Sequence, residues 1–454
     1  MSALQVDLDL IRKYNVAAPR YTSYPPATHF AEMPGQEILE RMKANAGSTK
    51  DISLYFHLPF CRSLCWYCGC TTVVTSDQGA SAKYLGYLDR EMALLSPLIG
   101  GDRKVVQLHF GGGTPTFLRP DEIRALGRSI RRHFTFAGDI EAGVEIDPRR
   151  IVRDHVTALR EAGFNRASVG VQDFDPAVQT AIHRIQPKAE TEQALNWLRE
   201  AGFPSINIDL VYGLPHQTPE SFGKTLDEII AMQPDRLAVF NYAHVPWIKP
   251  AQKILKALPS PEMKLELLKL TVERLTSNGY CYIGMDHFAR ADDELAIAQR
   301  NKTLQRNFQG YSTRGHADIY AFGMSSISQA NGAYWQNHKE LPAYYGALDA
   351  GEAPMSKGYV LTEDDKIRGE VIERLMCDLG LDFGRMSERL GVDFAAYFSN
   401  ELASLDDLKA DGLIETDACG LRVTDRGRLL IRNIAVRFDA YFGKGSGERF
   451  SKSI

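Results

Sequence analysis

From residue 52 onward, apolar and polar positions along the chain alternate between two rhythms. Short β-branched or apolar runs bounded by turn residues read as strands. They are Ile52–Leu58, Val105–Phe110, Ala142–Ile146, Arg166–Val171, Ser205–Val211 and Arg236–Phe240. Between them, apolar residues recur at helical spacing. Tyr84, Leu88, Met92 and Leu95 share one face of Lys83–Leu95, and Ile123, Leu126, Ile130 and Phe134 share one face of Asp121–Phe134, with Asp121 as N-cap. Six strands alternating with helices predict an α/β fold with a parallel sheet. In barrels of this kind, chemistry gathers at the C-terminal ends of the strands.

The flanks follow other patterns. Residues 1–50 open with a short helical segment and pass into Ala18 to Pro26, where prolines and two tyrosines predict an extended arm. That arm is either a strap packed on the main domain or a lid over a substrate site. After a long helical stretch, Pro261 to Asn278, come shorter irregular segments. From about residue 360 the pattern is helical and ends in Leu413–Thr416 and Leu421–Thr424 with Gly420 in the turn, which looks like a winged-helix-type module. The predicted organisation is an arm (1–50), an α/β body (51–250), an extension that closes the site (251–360) and a mainly helical C-terminal domain (361–454). The tail from Gly443 is expected to be loose.

Four of the seven cysteines fall in one short stretch after the first strand: Cys61, Cys65, Cys68 and Cys70. A chain of 454 residues needs no disulfides for its core, so the cluster points to metal binding or redox chemistry. Zinc sites use paired clips, and Cys281, Cys377 and Cys419 supply no second pair. Ferredoxin spacings do not match either. Cys61, Cys65 and Cys68, spaced C-x3-C-x2-C, can hold three corners of an iron–sulfur cube and leave one iron open. A structural zinc loop is the plain alternative.

Polar groups stand at nearly every other strand end. Gly111-Gly112-Gly113-Thr114 follows the second strand, where glycines would let a ligand approach the backbone. Glu145 ends the third, Gln172 the fourth, with Arg184 a helical segment later. Asp209 lies in the fifth, and Asn241 to His244 follow the sixth. Each alone reads as a cap or a barrel ion pair. Together they offer partners for ammonium, carboxylate and hydroxyl groups.

C-x3-C-x2-C with Tyr67 before its third cysteine resembles the signature of the radical S-adenosylmethionine (radical SAM) enzymes. The longer string Y-x-H-x-P-F-C-x3-C-x-Y-C-G-C, the Gly-Gly-Thr-Pro turn and the Arg-Tyr-Thr-Ser-Tyr arm resemble one branch, the oxygen-independent coproporphyrinogen III oxidases. The likeness runs to Gly427–Asn433; Trp66-Tyr67 departs slightly from the usual aromatic pair. It implies a partial (β/α)6 radical SAM barrel with an N-terminal arm and a mainly helical C-terminal domain. It also implies a 4Fe–4S cluster on Cys61, Cys65 and Cys68. Tyr55, Gly112, Glu145 and Ile327 match positions contacting the cluster-bound SAM. Tyr67, Gly113, Thr114, Gln172, Arg184, Asp209 and Ala243 match positions around a second SAM. Cys70 belongs to the branch motif without being a cluster ligand. Arg290 and Arg306 are candidate anchors for substrate carboxylates.

The resemblance implies a 5′-deoxyadenosyl radical that takes a hydrogen from the β-carbon of a propionate; loss of carbon dioxide and an electron leaves a vinyl group. Two propionates of coproporphyrinogen III would react, giving protoporphyrinogen IX in haem biosynthesis. The electron would come from a donor such as a flavodoxin or ferredoxin. The relative to be told apart is a haem chaperone, which usually lacks the C-G-C ending and the arm.

Composition narrows the partners. The formal net charge of −4 argues against a general nucleic-acid binder. Between Asp364 and Phe442 there are 16 acidic against 11 basic residues, so the winged-helix-like module is a poor partner for phosphates and reads as a cover over the barrel mouth. The first residues carry Asp7, Asp9, Arg12 and Lys13 and are no signal peptide, and no apolar run approaches the ~18 residues of a membrane span. A cytoplasmic monomer is expected.

Overall fold

The computed structural model describes residues 4–443, so the tail expected to be loose falls, from residue 444 on, outside the described residues. The six expected strands form: β1 (Ile52–Leu58), β2 (Lys104–Gly112), β3 (Thr135–Ile146), β4 (Arg166–Gln172), β5 (Ser205–Tyr212) and β6 (Arg236–Asn241). They pair in chain order, each parallel to the last. This is the six-stranded α/β arc expected of a partial barrel. β3 begins at Thr135, earlier than its apolar run, because Thr135 and Phe136 pair with Lys104 and Val105 ahead of a register shift.

Helices cover the outer face. In Gly79–Ile99 the stripe Tyr84, Leu88, Met92 and Leu95 is buried, and in Pro120–His133 so are Ile123, Leu126 and Ile130. Asp121 is not the N-cap. The helix starts at Pro120, whose fixed φ suits the first turn, and Glu122 reaches back to accept the Arg119 amide at 2.8 Å.

Residues 251–360 extend the same sheet at both edges. A hairpin, β7 (Tyr280–Gly284) and β8 (His287–Arg290), pairs antiparallel with β6. On the far side, β9 (Asp318–Phe322) lies parallel to β1, and β10 (Ile327–Ala330), β11 (Ala333–Asn337) and β12 (Met355–Val360) continue antiparallel. With Ala31–Glu32 at the outer edge, one sheet of 13 strands results. The β1–β9 seam is locked at its base. Arg103 Nη2 bonds Asp318 Oδ2 at 2.6 Å, and its other nitrogens donate to the Lys50 carbonyl at 2.6 Å and the Ile99 carbonyl at 3.1 Å.

The C-terminal domain has its own core around Val371, Leu375, Phe394, Phe398 and Phe438. A helix, Glu363–Asp378, precedes a small sheet of Gly380–Asp382, Gly420–Val423 and Ile414–Thr416. The N-terminal arm is a strap between the two cores. Leu4, Val6 and Ile11 belong to the body, whereas Tyr14, Tyr21 and Tyr24 belong to the C-terminal core. A buried aromatic removes about 150–250 Å² from water, so those tyrosines make the attachment mainly hydrophobic. Arg20 of the arm pairs with Asp286 in the β7–β8 turn. Among the described residues neither the arm nor the C-terminal domain contributes a lining residue to the cavity at the strand ends. The described part of the arm packs as the strap.

Candidate functional site

A cavity of about 660 Å³ opens at the C-terminal ends of β1–β6. Its size falls in the range of ligand sites. Cys61, Cys65, Cys68 and Cys70 line it, together with Tyr67, Gly112, Gly113, Thr114, Glu145, Gln172, Arg184, Asp209 and Ala243.

The cysteine loop is held by its backbone. The Trp66 amide donates to the Ile182 carbonyl at 3.0 Å, the Cys68 amide to the Cys65 carbonyl at 3.1 Å, and Gln252 Nε2 to the Tyr67 carbonyl at 3.0 Å. Trp66 stacks on His183, so its departure from the usual aromatic pair preserves stacking. All the cysteines are free thiols. Donors surround the loop's sulfurs. Thr114 Oγ1 lies 3.3 Å from Cys61 Sγ. Arg184 Nη1 and Arg149 Nη2 lie 3.6 and 3.7 Å from Cys65 Sγ. The Cys70 amide donates to Cys68 Sγ at 3.4 Å. The Cys70 thiol, the Cys70 amide, Lys249 and Arg184 hold the Cys68 thiol down to about 6 against its burial. Burial pushes the Cys61 thiol up to about 11. Donors aimed at sulfur favour the thiolate, the form that ligates metal, so the loop fits an anionic iron–sulfur group. Among the described residues no three His, Cys, Asp or Glu side chains converge on one ion.

Behind the loop, Asp147 balances the two guanidinium groups. Its Oδ2 lies 2.6 Å from Arg149 Nη2 and 3.4 Å from Arg184 Nη1. Burial works against its ionisation, but Arg184 and Arg149 win and hold the carboxyl down to about 2. Arg184 also donates to the Gly170 carbonyl at 2.7 Å. It is thus placed by protein groups.

The glycine turn is shaped by the protein's own contacts. A Cβ on Gly111 would lie 2.9 Å from Glu145 Oε1, one on Gly112 2.6 Å from the His57 ring, and one on Gly113 2.4 Å from the Pro59 carbonyl oxygen. Gly112 also has φ +115°, which favours glycine. These glycines let β2 close onto the cysteine loop. The Gly112 amide donates to Glu145 Oε2 at 3.1 Å, and His109 Nε2 stands 3.6 Å from Glu145 Oε1. Burial opposes ionisation of Glu145, but His109, the Gly112 amide and His57 lower its carboxyl.

Across the cavity, Asp209 accepts from Ser168 Oγ at 2.8 Å and Asn207 Nδ2 at 2.7 Å. Burial nonetheless raises it to about 6, with Glu145 adding to the effect. Gln172 sits at φ 72°, just past a register shift in the β4–β5 pairing. A non-glycine residue held there costs about 1–3 kcal/mol, and the turn aims the chain end at the cavity.

Tyr55 and Ile327 stand outside the lining. Tyr55 reaches the site through neighbours: its ring stacks on His109 and its hydroxyl lies 3.1 Å from His57 Nδ1. His57 Nε2 bonds the Thr71 carbonyl at 2.9 Å, and a carbonyl only accepts, so Nδ1 is the acceptor for Tyr55. Burial lowers the His57 pKa, consistent with a neutral ring. Ile327 opens β10, two strands from β1. Arg290 and Arg306 also lie outside the lining. Arg290 is exposed and faces Asp292, whereas Arg306 is buried over the Tyr311 ring.

Sequence reading met Asp147 and His57 only inside longer motifs, without a role of their own, and passed over Arg149 and His109. Strand alternation offered a signal for three of them. Asp147 lies two residues after Glu145 and His57 two after Tyr55, hence on the same face, and His109 lies opposite Tyr55 on the next strand. Arg149 follows the strand end and carried no such mark.

The chain matches two family models, the Radical SAM superfamily over residues 55–229 and the HemN C-terminal domain over residues 361–430. It is 46% identical over its whole length, and that of the relative, to an oxygen-independent coproporphyrinogen III oxidase of Pseudomonas aeruginosa. It is 47% identical, again with both chains fully covered, to the enzyme of that name from Escherichia coli. Among solved structures it resembles the Escherichia coli coproporphyrinogen III oxidase HemN, described as a radical SAM enzyme. There the TM-score is 0.92 and identity 46%, covering 97% of this chain and 100% of the other.

Proposed function

This chain belongs to the oxygen-independent coproporphyrinogen III oxidases of the radical SAM superfamily, and on that premise we propose how its residues serve the reaction. It is a radical SAM oxidoreductase that decarboxylates two propionates of coproporphyrinogen III to vinyl groups, giving protoporphyrinogen IX. When bound, the 4Fe–4S cluster and SAM supply the carbon radical that begins the oxidation.

Cys61, Cys65 and Cys68 are the cluster ligands. Arg149, Arg184 and the Cys70 amide counter the charge of their sulfurs, and Asp147 keeps both guanidinium groups aimed. Gly112 and Glu145, backed by Tyr55 and with Ile327 farther off, form the pocket for the SAM next to the cluster. Tyr67, Gly113, Thr114, Gln172, Arg184, Asp209 and Ala243 hold a second SAM. The observation that carries this reading is the gathering of three cysteines, Glu145 and Asp209 in one cavity at the strand ends, with buried Arg184 and half-buried Arg149 against the Cys65 sulfur.

The electron comes from a flavodoxin- or ferredoxin-type donor. The enzyme works as a monomer. A cytoplasmic location agrees with its thiolate chemistry, which needs a reducing compartment; among the described residues no helix is long and apolar enough to cross a membrane.

The test is anaerobic turnover of the reconstituted protein with SAM, a reductant and coproporphyrinogen III. Loss of two carboxyl groups with formation of 5′-deoxyadenosine is expected. Deoxyadenosine without decarboxylation would move the substrate elsewhere, and neither product, with haem bound tightly instead, would overturn the enzyme reading.

A further inference from the structure

Several of the large apolar side chains left exposed stand around the outer edge of the cysteine loop. Val74, 48% exposed, pairs in register with Cys61. Ile185, 59% exposed, directly follows Arg184, which touches the Cys65 sulfur. Trp247 and Ile248, 56% and 65% exposed, lead into Lys249, whose Nζ bonds the Cys70 carbonyl at 2.6 Å. Apolar side chains left exposed around one loop suit an interaction site.

The charge around these residues has one sign. From His244 to Ser260 there are three lysines, Lys249, Lys253 and Lys256, and no acid; from Pro59 to Ser76 the only charged side chain is Arg62. Lys249 and Lys256 donate to backbone carbonyls and Arg62 lies over the Phe117 ring. Among the described residues none of these four cations has an acidic partner. The whole chain is net negative at −4, so this basic face is local. Gly69 and Cys70, within the second of these segments and at the cavity, are exposed.

We infer that this face docks a small acidic one-electron carrier, the protein that reduces the centre held by the cysteine loop. The inference rests on the radical SAM reading, which requires one electron in. The carrier is oxidised by one electron and the metal centre is reduced by one. Redox partners meet through small, transient interfaces in which opposite charge steers the encounter. Exposed apolar side chains and cations without described acidic partners, both beside the loop, have that composition.

The test uses full-length, cluster-reconstituted protein and two variants at residues that do not line the cavity: Lys253→Glu with Lys256→Glu, and Ile248→Glu. Each is driven either by reduced flavodoxin or by dithionite, and 5′-deoxyadenosine is measured. With flavodoxin, the concentration for half-maximal rate should rise tenfold or more in the charge-reversed variant, and that variant should lose the wild type's slowing by salt. With dithionite, all three proteins should agree within twofold. Unchanged flavodoxin kinetics beside normal dithionite turnover would overturn the docking face alone. So would a loss shared equally by dithionite. Failure of the wild type to make deoxyadenosine with dithionite would instead overturn the functional reading on which the inference rests.

Discussion

Replacing Asp209 by asparagine sets stability against binding. Burial raises this carboxyl from its ordinary 3.8 to about 6 despite hydrogen bonds from Ser168 and Asn207. At about 1.4 kcal/mol per pH unit, that difference is worth about 3 kcal/mol. Cavity water reaches the half-buried side chain, so about 1–3 kcal/mol is expected. The sign follows from linkage: between pH 4 and 6 the folded protein holds the proton more tightly than the unfolded chain, so stability falls as pH rises through that window. Asp209→Asn keeps the shape and removes this cost. At pH 7 the variant should melt at least about 2 °C higher than wild type, and the gap should close below pH 4. Binding should move the other way. A hydrogen bond to a charged group is worth about 1.5–3 kcal/mol, so affinity for one equivalent of SAM should fall about 10- to 100-fold at pH 7.5. Wild-type affinity for that equivalent should also weaken about tenfold per unit below pH 6, whereas the variant's should not. Scanning calorimetry and equilibrium dialysis on the same samples read both effects. A variant less stable at pH 7, or one that binds SAM like wild type, refutes the reasoning.

Other substitutions probe the loop and its supports. Cys65→Ser should abolish both the brown colour and turnover, read by iron and sulfide analysis; full cluster content would remove Cys65 from the ligand set. Gly112→Ala would drive a methyl into the His57 ring and force an L-residue to φ +115°, so deoxyadenosine formation should drop at least about tenfold, from a strain of about 1–3 kcal/mol. Asp318→Asn would leave the Arg103 guanidinium buried without its carboxylate. Unfolding in urea should show a loss of about 3–5 kcal/mol, and a loss below about 1 kcal/mol would mean that the backbone carbonyls around Arg103 suffice.

What the sequence disclosed and what it withheld divide along the range of the interactions. Ile52–Leu58 forms the strand its apolar run predicts, and the helix stripe through Tyr84, Leu88, Met92 and Leu95 faces inward, because period reports on a segment's own burial. The cysteine spacing likewise speaks for one loop. Contacts made between segments left no local mark. Nothing in Gly111–Gly113 says that its glycines answer to His57, Pro59 and Glu145. Nothing near Arg149 announces the Cys65 sulfur across the cavity. The arm's tyrosines left strap and lid open until the C-terminal core that buries them was in view. Asp121 lost the capping position to Arg119, because Pro120 takes the first turn and Glu122 reaches back to the Arg119 amide.

The place of β9 bears on how the protein is made. β1 emerges early in synthesis, but the strand that covers its outer edge runs from Asp318 to Phe322. A ribosome that has released β6, ending at Asn241, has delivered six parallel strands with both flanks still open, the β6 flank until His287–Arg290 and the β1 flank longer. Some 80 further residues, roughly 4–16 s at ordinary elongation rates, must follow before that flank finds its partner and Arg103 its carboxylate. An uncovered strand edge is a template for pairing with another chain. The nascent protein therefore passes through a stage in which its catalytic half is assembled but adhesive, and translation that stalls between Asn241 and Phe322 should yield aggregates rather than truncated enzyme.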